Sequence, residues 1–443
     1  MNSTQKSYKK AFIFVTALFF LWGFVTVLID SLIPRLRDVF TLNYFQAGMI
    51  QFAFFTAYFL FSIPAGFILA KIGYQRGIIL GLLTMAAGCF LFYPAASQRM
   101  MVVFMLAVFV LASGITFLQV AANPYVSVLG DESGASSRLN LSQAFNSLGT
   151  TIAPIVGAIF ILSDRVKGSD EINALSQAEQ EAYFATEAAA VQTPFLSIAV
   201  FIIIMAVIFA FVKLPKITDE NSTTDSTKGY FSLFKRQGLM LGAVAIFLYV
   251  GAEVAIGSYL VNYFVEINIA KEVLENQTMR SIVVSLGKVF GEQDLTSNDP
   301  KAVVGIFVTF YWAGAMLGRF VGAFLTKIIP PAKVLIFFSL IAISLILVSI
   351  NTDGLLSMWS ILAVGLFNSI MFPTIFTLAS EGLGELRPQA SGILCTMIVG
   401  GAIIPPVFGF LADNIGFKMA FLALVVCYSF ILFFGYYKRF IKV

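Results

Sequence analysis

Long apolar runs separated by short polar segments recur from one end of the chain to the other. Each run is close to the ~20 residues that an α-helix needs to cross the hydrocarbon core of a bilayer, and the alternating ~10-residue segments of an outer-membrane barrel are missing. The pattern therefore predicts an all-α membrane protein with twelve transmembrane helices, which we number as spans 1 to 12. The spans cover residues 11–34, 45–71, 76–96, 100–128, 138–163, 194–213, 237–266, 301–327, 332–351, 356–381, 388–412 and 415–438.

The first apolar run has the length of a complete span, and no small-residue cleavage site follows it, so we predict that it is retained rather than removed as a signal peptide. An even number of spans puts both termini on the same side of the membrane. Eighteen of the 28 Lys and Arg residues fall on that side and ten fall on the other, among them Arg35 and Arg37 just after span 1. By the positive-inside rule, both termini are predicted to be cytoplasmic.

A polar stretch between spans 6 and 7, which contains the sequence DENSTTDSTKG, divides the chain into two halves of six spans. We predict an N-terminal six-helix bundle over residues 1–213, a cytoplasmic linker over 214–236 and a C-terminal six-helix bundle over 237–443. The longer polar segments on the opposite side are predicted to be surface caps. One part of them, residues 176–191, contains enough Ala, Glu and Gln for a short surface helix.

The two halves also resemble each other in sequence. Gly149 and Pro154 in span 5 align with Gly400 and Pro405 in span 11, and the sequence GFILAK at the end of span 2 matches GAFLTK at the end of span 8. Such repetition, with six spans in each half, is typical of transporters whose halves rock around a central site. We therefore expect the two bundles to be pseudo-symmetric.

The composition narrows the function. With 59% hydrophobic and 12% charged residues and a mean hydropathy of +0.89, the chain has too little polar surface for a soluble globule of its size. It has no His, and its three cysteines lie inside apolar runs without paired spacing, as buried packing residues do. Metal sites and acid–base chemistry that rely on His are excluded, and no nucleotide-binding loop is present. We predict no enzyme activity, no cofactor and no nucleic-acid partner.

Two acidic residues stand out within the apolar spans, Asp30 in span 1 and Glu253 near the centre of span 7. A carboxylate inside a membrane is costly and by default marks an ion or proton pathway. Asp30 has a second interpretation, because it lies about 30 Å of helix beyond Lys10 and water at the far membrane face can hydrate it. Glu253 is too central for that. We predict that it lines the pathway, with structural pairing as the alternative.

Side-chain amides concentrate in spans 4 and 5. Span 4 contains Gln119 and then Asn123 directly before Pro124, and span 5 carries Gln143 and Asn146 on one helical face. Amides both donate and accept hydrogen bonds, as the vicinal hydroxyls of a sugar do. We predict that Gln119, Asn123, Gln143 and Asn146 bind sugar. Hydrogen bonding between neighbouring helices is the alternative for each.

Aromatic residues can stack on a pyranose ring, and we predict this role for Trp22, Tyr58 and Trp312. Tyr259 and Tyr311 are further candidates. Because 15% of the chain is aromatic, packing in the core or against lipid is the alternative for every one of them.

Two further patterns lie in spans 8 and 10. Gly314, Gly318 and Gly322 repeat every four residues, which predicts close helix packing. Arg319 and Glu381 fall near the cytoplasmic ends of their spans, and we predict that these charges act in a gate or anchor a loop.

Several motifs together resemble one known family, the fucose, galactose and glucose symporter branch of the major facilitator superfamily, and most closely its bacterial glucose/galactose transporters. The matching motifs are Phe20-Leu-Trp22-Gly23 with Asp30 after it, Phe45-Gln-Ala-Gly, Lys71-Ile-Gly-Tyr-Gln-Arg76-Gly, Leu118-Gln119-Val-Ala-Ala-Asn123-Pro124, Leu141-Ser-Gln143-Ala-Phe-Asn146-Ser, Tyr249-Val-Gly-Ala-Glu253-Val and Met371-Phe-Pro373-Thr.

The resemblance implies a major facilitator fold and a symporter of the bacterial inner membrane that works by alternating access. It implies that Asp30 handles the coupling cation, with Gln119 beside it, and that polar residues of spans 4, 5 and 7 contact the sugar.

The chain departs from the family pattern in two places. The superfamily's inner-loop motif lacks its Asp, which leaves Lys71 and Arg76 as the predicted gating residues. The fucose transporters carry Glu at the position of Gln119 and Gln at that of Glu253, so the exchange favours glucose or galactose over fucose.

The predicted partners are a neutral hexose, H⁺ or Na⁺, and membrane lipid, for a protein that acts as a monomer. Glucose and galactose are the preferred hexoses, with mannose as a further option, and Asp30 is the metal ligand if Na⁺ is coupled. Two other functions stay open at this point. One is export of drugs or metabolites, and the other is sugar sensing without translocation.

Overall fold

The computed structural model describes residues 3–30, 44–98, 100–160, 174–212, 214–215, 226–290 and 300–440. All regular structure in these ranges is helical. Within them, eleven helical segments are long and apolar enough to cross a membrane. The chain is a multi-pass, all-helical membrane protein, as its hydropathy pattern predicts.

The helices of the first half follow the predicted spans 1 to 6. Their bounds are Ser3–Asp30, Tyr44–Ile72, Tyr74–Gln98, Met101–Val128, Ala135–Phe160 and Gln177–Phe211. The helix of span 5 is absent from the eleven apolar segments because amides and hydroxyls lower its hydropathy. Its 26 residues are nevertheless enough to cross the hydrocarbon core.

Several spans of the second half are broken into consecutive helices. Spans 7 to 12 comprise Gln237–Glu266, Pro300–Gly305 with Val308–Ile328, Pro331–Asn351, Gly354–Asn368 with Met371–Ala379, Arg387–Thr396 with Gly400–Ile415, and Phe417–Phe440. Shorter helices are Ser226–Phe234 in the linker, and Ile269–Glu275 and Gln277–Phe290 after span 7. Single 3₁₀ turns lie at Glu132–Gly134, Gly384–Leu386 and Met397–Val399.

The separate surface helix predicted at residues 176–191 is wrong, because that stretch is the first part of the 35-residue helix Gln177–Phe211. Ser176 begins this helix with a capping box, in which the backbone N–H of Ser176 donates to Glu179 at 2.9 Å. Pro194 lies inside the helix and does not end it.

The contacts group the chain into two compact units. The first contains Met1–Gly130, Phe145–Lys235 and Leu383–Thr396, and the second contains Asp131–Ala144, Arg236–Gly382 and Met397–Val443. Each unit thus combines most of one predicted bundle with a short segment from the other half of the chain. In the second unit, for example, the Ser137 hydroxyl donates to the Ala323 carbonyl at 2.6 Å. The division at the linker remains a prediction from the sequence.

The aligned glycines of the two halves occupy equivalent positions. A Cβ at Gly149 would meet the backbone carbonyl of Phe20, and a Cβ at Gly400 would meet that of Phe247. Span 5 therefore crosses span 1 closely in the first unit, and span 11 crosses span 7 in the same way in the second. The glycines of span 8 also pack closely, since a Cβ at Gly318 would meet the Leu366 carbonyl. The predicted packing role of that glycine stripe is confirmed.

Two prolines leave backbone carbonyls without a helical hydrogen-bond donor, and side chains of other helices donate to these carbonyls instead. Pro124 has no N–H for the carbonyl of Val120, and the Ser391 hydroxyl donates to that carbonyl at 2.9 Å within the first unit. In span 10, Pro373 likewise leaves the carbonyl of Ser369 without its helical donor. That second carbonyl lies at the candidate site.

Candidate functional site

A buried ion pair joins spans 7 and 8 in the second unit. Arg319 Nη2 lies 3.7 Å from Glu253 Oε1, and the two side chains are only 15% and 13% exposed. The separation is longer than a hydrogen bond, and Glu253 Oε1 has no hydrogen-bond partner among the described residues. The pair therefore balances charge in a buried environment and still leaves an acceptor atom open.

The break in span 10 holds Arg319 in place. Its Nε donates to the Ser369 carbonyl at 3.2 Å, which is the carbonyl that Pro373 leaves unsatisfied. Arg319 lies well inside the helix Val308–Ile328 and not at its end. The expectation of a position near the cytoplasmic end is wrong, because the helix continues beyond Arg319 to Ile328, about two and a half turns further. A gating role for Arg319 remains a prediction.

Three fully buried phenols surround the pair. Tyr249 stands one helical turn before Glu253, and the Tyr311 hydroxyl donates to the Glu253 backbone carbonyl at 3.4 Å. Asn368 Nδ2 donates to the hydroxyls of Tyr311 and Tyr428 at 2.7 and 3.3 Å. We call this set the Glu253 cluster, consisting of Glu253, Arg319, Tyr249, Tyr311, Asn368 and Tyr428.

The Glu253 cluster has unused hydrogen-bonding capacity. Within the described ranges, Glu253 Oε1 and Asn368 Oδ1 are buried and have no hydrogen-bond partner. Buried polar atoms are normally paired, because an unpaired one loses its hydration without compensation. Their concentration in one cluster indicates a place where a hydroxylated ligand can bind.

Trp312 borders the Glu253 cluster. Its ring packs edge-on against Tyr311 with centroids 5.1 Å apart, and a Cβ at Gly257 would meet the ring. The side chain is 46% exposed. An exposed ring in a membrane span can face either lipid or the pathway, and stacking on a sugar remains a prediction for Trp312.

The first unit holds most of the predicted amides. Asn146 Nδ2 donates to the Phe19 carbonyl of span 1 at 2.9 Å, close to Gly23, which has no side chain to block the approach. This contact is the interhelical hydrogen bond that the sequence left as the alternative. Gln119 differs, because its Oε1 is buried and has no partner in the described part of the chain. Gln143 lies on the same helix as Asn146, is buried, and belongs to the second unit.

The other side chains of the first unit that we predicted to bind sugar are mostly buried against neighbouring residues. Asn123 is fully buried beside the Cys395 thiol, and Tyr58 is 2% exposed with its ring 5.5 Å from that of Phe54. Trp22 is buried and lines a small apolar crevice between spans 1, 3, 4 and 6. Their sugar-binding roles remain predictions.

Asp30 is the last residue of the helix Ser3–Asp30, and its side chain lies outside the described residues, as do residues 31–43. The predicted continuation of span 1 to residue 34 also falls there. Among the described residues no group of three or more His, Cys, Asp or Glu side chains could hold a metal ion. The role of Asp30 in Na⁺ or H⁺ coupling therefore remains a prediction from the sequence.

The other predicted gating residues lie at helix ends. Lys71 Nζ is exposed and sits 4.6 Å from the centre of the Phe67 ring, and Arg76 is exposed near the start of span 3. Glu381 forms an ion pair with Lys438 at 3.3 Å. The Glu381 contact fits the loop-anchoring alternative, and gating remains a prediction for all three.

Sequence reasoning missed Tyr249, Asn368 and Tyr428. Tyr249 could have been found, because it lies four residues before Glu253 on a helix and so shares its face. Asn368 and Tyr428 come from spans 10 and 12, and no spacing in the sequence connects them with Glu253.

Comparisons with known proteins agree on one family. The family model described as Major Facilitator Superfamily matches residues 12–397. A glucose/galactose transporter of Brucella abortus biovar 1 (strain 9-941) is 47% identical over 435 residues, which cover 98% of this chain and 95% of the relative. The L-fucose-proton symporter of Escherichia coli (strain K12) is 35% identical, covering 98% of this chain and 94% of the relative.

The fold has a counterpart among solved structures. The crystal structure of a Major Facilitator Superfamily transporter, FucP, in the outward conformation matches with a TM-score of 0.85 and 33% sequence identity. The match covers 98% of this chain and 99% of the other. The similarity therefore extends over both halves and all predicted spans.

Proposed function

The chain belongs to the Major Facilitator Superfamily, and we propose that it imports a neutral hexose, glucose or galactose, together with protons. It is a transporter and not an enzyme, and the resemblance seen in its motifs is confirmed. Support for a sugar comes from relatives named as glucose/galactose transporters, and support for protons comes from a relative named as an L-fucose-proton symporter. Mannose is a further candidate hexose.

The observation that carries this proposal is the open carboxylate oxygen of Glu253. A neutral sugar offers hydroxyl donors and carries no charge, so it can occupy Glu253 Oε1 without displacing Arg319 from its balancing position. Asn368 Oδ1, a second buried acceptor of the Glu253 cluster without a hydrogen-bond partner in the described ranges, offers a further hydrogen bond in the same unit. A lipophilic cation would gain little from these groups, because the guanidinium beside Glu253 already balances its charge.

Asp30 is our candidate for proton coupling, with Na⁺ as the competing cation. An acid inside a membrane span by default handles ions or protons. The proposal places the chain in the bacterial inner membrane as a monomer, with both termini in the cytoplasm.

The test is uptake of radiolabelled sugars into proteoliposomes that contain the purified chain. We expect glucose and galactose, and not L-fucose, to accumulate when an inward H⁺ gradient is imposed. An imposed Na⁺ gradient without a pH difference should give no accumulation, and the reverse pattern would replace protons by Na⁺. Sugar exchange that responds to neither gradient would overturn coupling.

The same preparation tests the two other functions. Competition of uptake by lipophilic cations, with no effect of unlabelled sugars, would favour an exporter. Sugar binding without any counterflow would favour a sensor.

A further inference from the structure

The linker between the halves contains a short helix, Ser226–Phe234, which packs on the first unit through two inward residues. Leu233 is fully buried. The Tyr230 ring stacks on Phe67 with centroids 6.4 Å apart, and its hydroxyl donates to the Ile63 carbonyl at 2.9 Å. The linker is thus attached to span 2 by specific contacts.

Tyr230 inserts where spans 2 and 11 cross. A Cβ at either Gly66 or Gly392 would meet the Tyr230 hydroxyl, so the glycines leave the space that the phenol fills. Burial raises the pKa of Tyr230 above its ordinary value, which keeps the phenol a neutral donor. The position of the linker helix is therefore coupled to the crossing of these two spans.

The outward side of the same helix, next to the side that carries Tyr230 and Leu233, is apolar and basic. Phe231 is 70% exposed and Phe234 is 50% exposed, and the three-residue spacing puts both rings on one side. Lys235 follows and is exposed, and Arg236 comes next in the sequence. Two exposed aromatic rings beside cationic residues are typical of helices that lie in the membrane interface.

We propose that Phe231, Phe234 and Lys235 form a binding surface for anionic phospholipid in the leaflet next to the linker. The rings insert at the boundary between headgroups and acyl chains, and the ammonium group of Lys235 contacts headgroup phosphates. Charge complementarity selects anionic over zwitterionic lipid. Lipid bound on this face holds Tyr230 in the crossing of spans 2 and 11.

Quenching by brominated lipid tests the surface directly in the full-length chain. A Phe231→Trp variant is reconstituted with equal fractions of brominated phosphatidylglycerol or brominated phosphatidylcholine, and the signal of the parent chain, which has three Trp residues, is subtracted. We expect the anionic bromolipid to quench the new Trp at least about twofold more strongly, and this preference to disappear when Lys235→Gln and Arg236→Gln are added.

Val426→Trp serves as the matched control, because this side chain is 69% exposed near the middle of the helix Phe417–Phe440. It should be quenched equally by both lipids. Phe234→Trp repeats the measurement if Phe231→Trp does not fold. Equal quenching of the linker Trp by the two lipids, or quenching by neither, would overturn the proposal, and neither result depends on which substrate is transported.

Discussion

Arg319 Nη2 lies 3.7 Å from Glu253 Oε1 in the second unit, and neither side chain is more than 15% exposed. The same guanidinium donates through Nε to the carbonyl of Ser369, which Pro373 leaves without a helical partner. One arginine thus connects the acid of span 7 with the break in span 10. Any ligand or proton that changes the charge or contacts of Glu253 therefore acts on the packing of span 10 as well.

The first prediction concerns this ion pair. Arg319→Gln leaves a buried carboxylate without its counter-charge, and removing one partner of such a pair costs ~3–5 kcal/mol of stability. Adding Glu253→Gln should recover part of that loss, because the uncompensated charge is then gone as well. Unfolding of the three purified variants in detergent forms a double-mutant cycle that measures the coupling.

An exposed pair provides the control for this cycle. Lys271 and Glu275 are 3.9 Å apart on one surface helix, with side chains 84% and 67% exposed. Lys271→Gln should leave stability unchanged within error, because water screens exposed pairs. If Arg319→Gln also left the stability unchanged, the buried pair would have no structural role.

The second prediction concerns sugar affinity. Glu253→Gln keeps the shape of the side chain and removes the charged acceptor, and a hydrogen bond to a charged group contributes ~1.5–3 kcal/mol. We expect sugar binding to weaken about 10- to 150-fold in equilibrium binding to purified protein. Glu275→Gln, at an exposed position, should bind sugar like the parent chain. An unchanged affinity in Glu253→Gln would move the sugar away from the Glu253 cluster.

The third prediction separates coupling from binding. Asp30→Asn cannot take up or release a proton, so an H⁺ gradient should no longer drive accumulation in proteoliposomes. Exchange of labelled for unlabelled sugar needs no net proton movement and should continue. An Asn variant that still concentrates sugar would remove Asp30 from the coupling mechanism.

Much of the fold could be predicted from hydropathy alone, because lipid forces each span to satisfy its own backbone hydrogen bonds. The aligned glycines of spans 5 and 11 likewise marked helix crossings that the structure contains. The length of the span 6 helix was missed, since hydropathy marks only its apolar part and the preceding residues 177–193 are too polar to be recognised as part of a span.

The candidate site was harder to predict, because its partners lie far apart in the chain. Glu253 was found, since an acid at the centre of a span is conspicuous. Its pairing with Arg319 depends on a carbonyl of span 10, which no spacing within span 8 reveals. Asn368 could not be predicted from the sequence either, because its role comes from hydrogen bonds to phenols of spans 8 and 12.

The last prediction tests the pseudo-symmetry of the two halves. A methyl group at Gly149 would collide with the Phe20 carbonyl, and one at Gly400 would collide with the Phe247 carbonyl. Backbone atoms cannot rotate away as side chains do, so each Gly→Ala variant must separate two spans and should lose ~1–3 kcal/mol of stability.

Gly305→Ala is the matched control for these variants, because nothing lies within 4 Å of the added Cβ. In the helix Pro300–Gly305 this change should be neutral or slightly stabilising, since Ala favours a helix more than Gly does. Thermal unfolding of the three variants decides the matter. Similar losses at Gly149 and Gly400 would mean that both halves depend on the same close backbone crossing. A loss at only one position would mean that the two halves match in sequence there but do not depend equally on this crossing for stability.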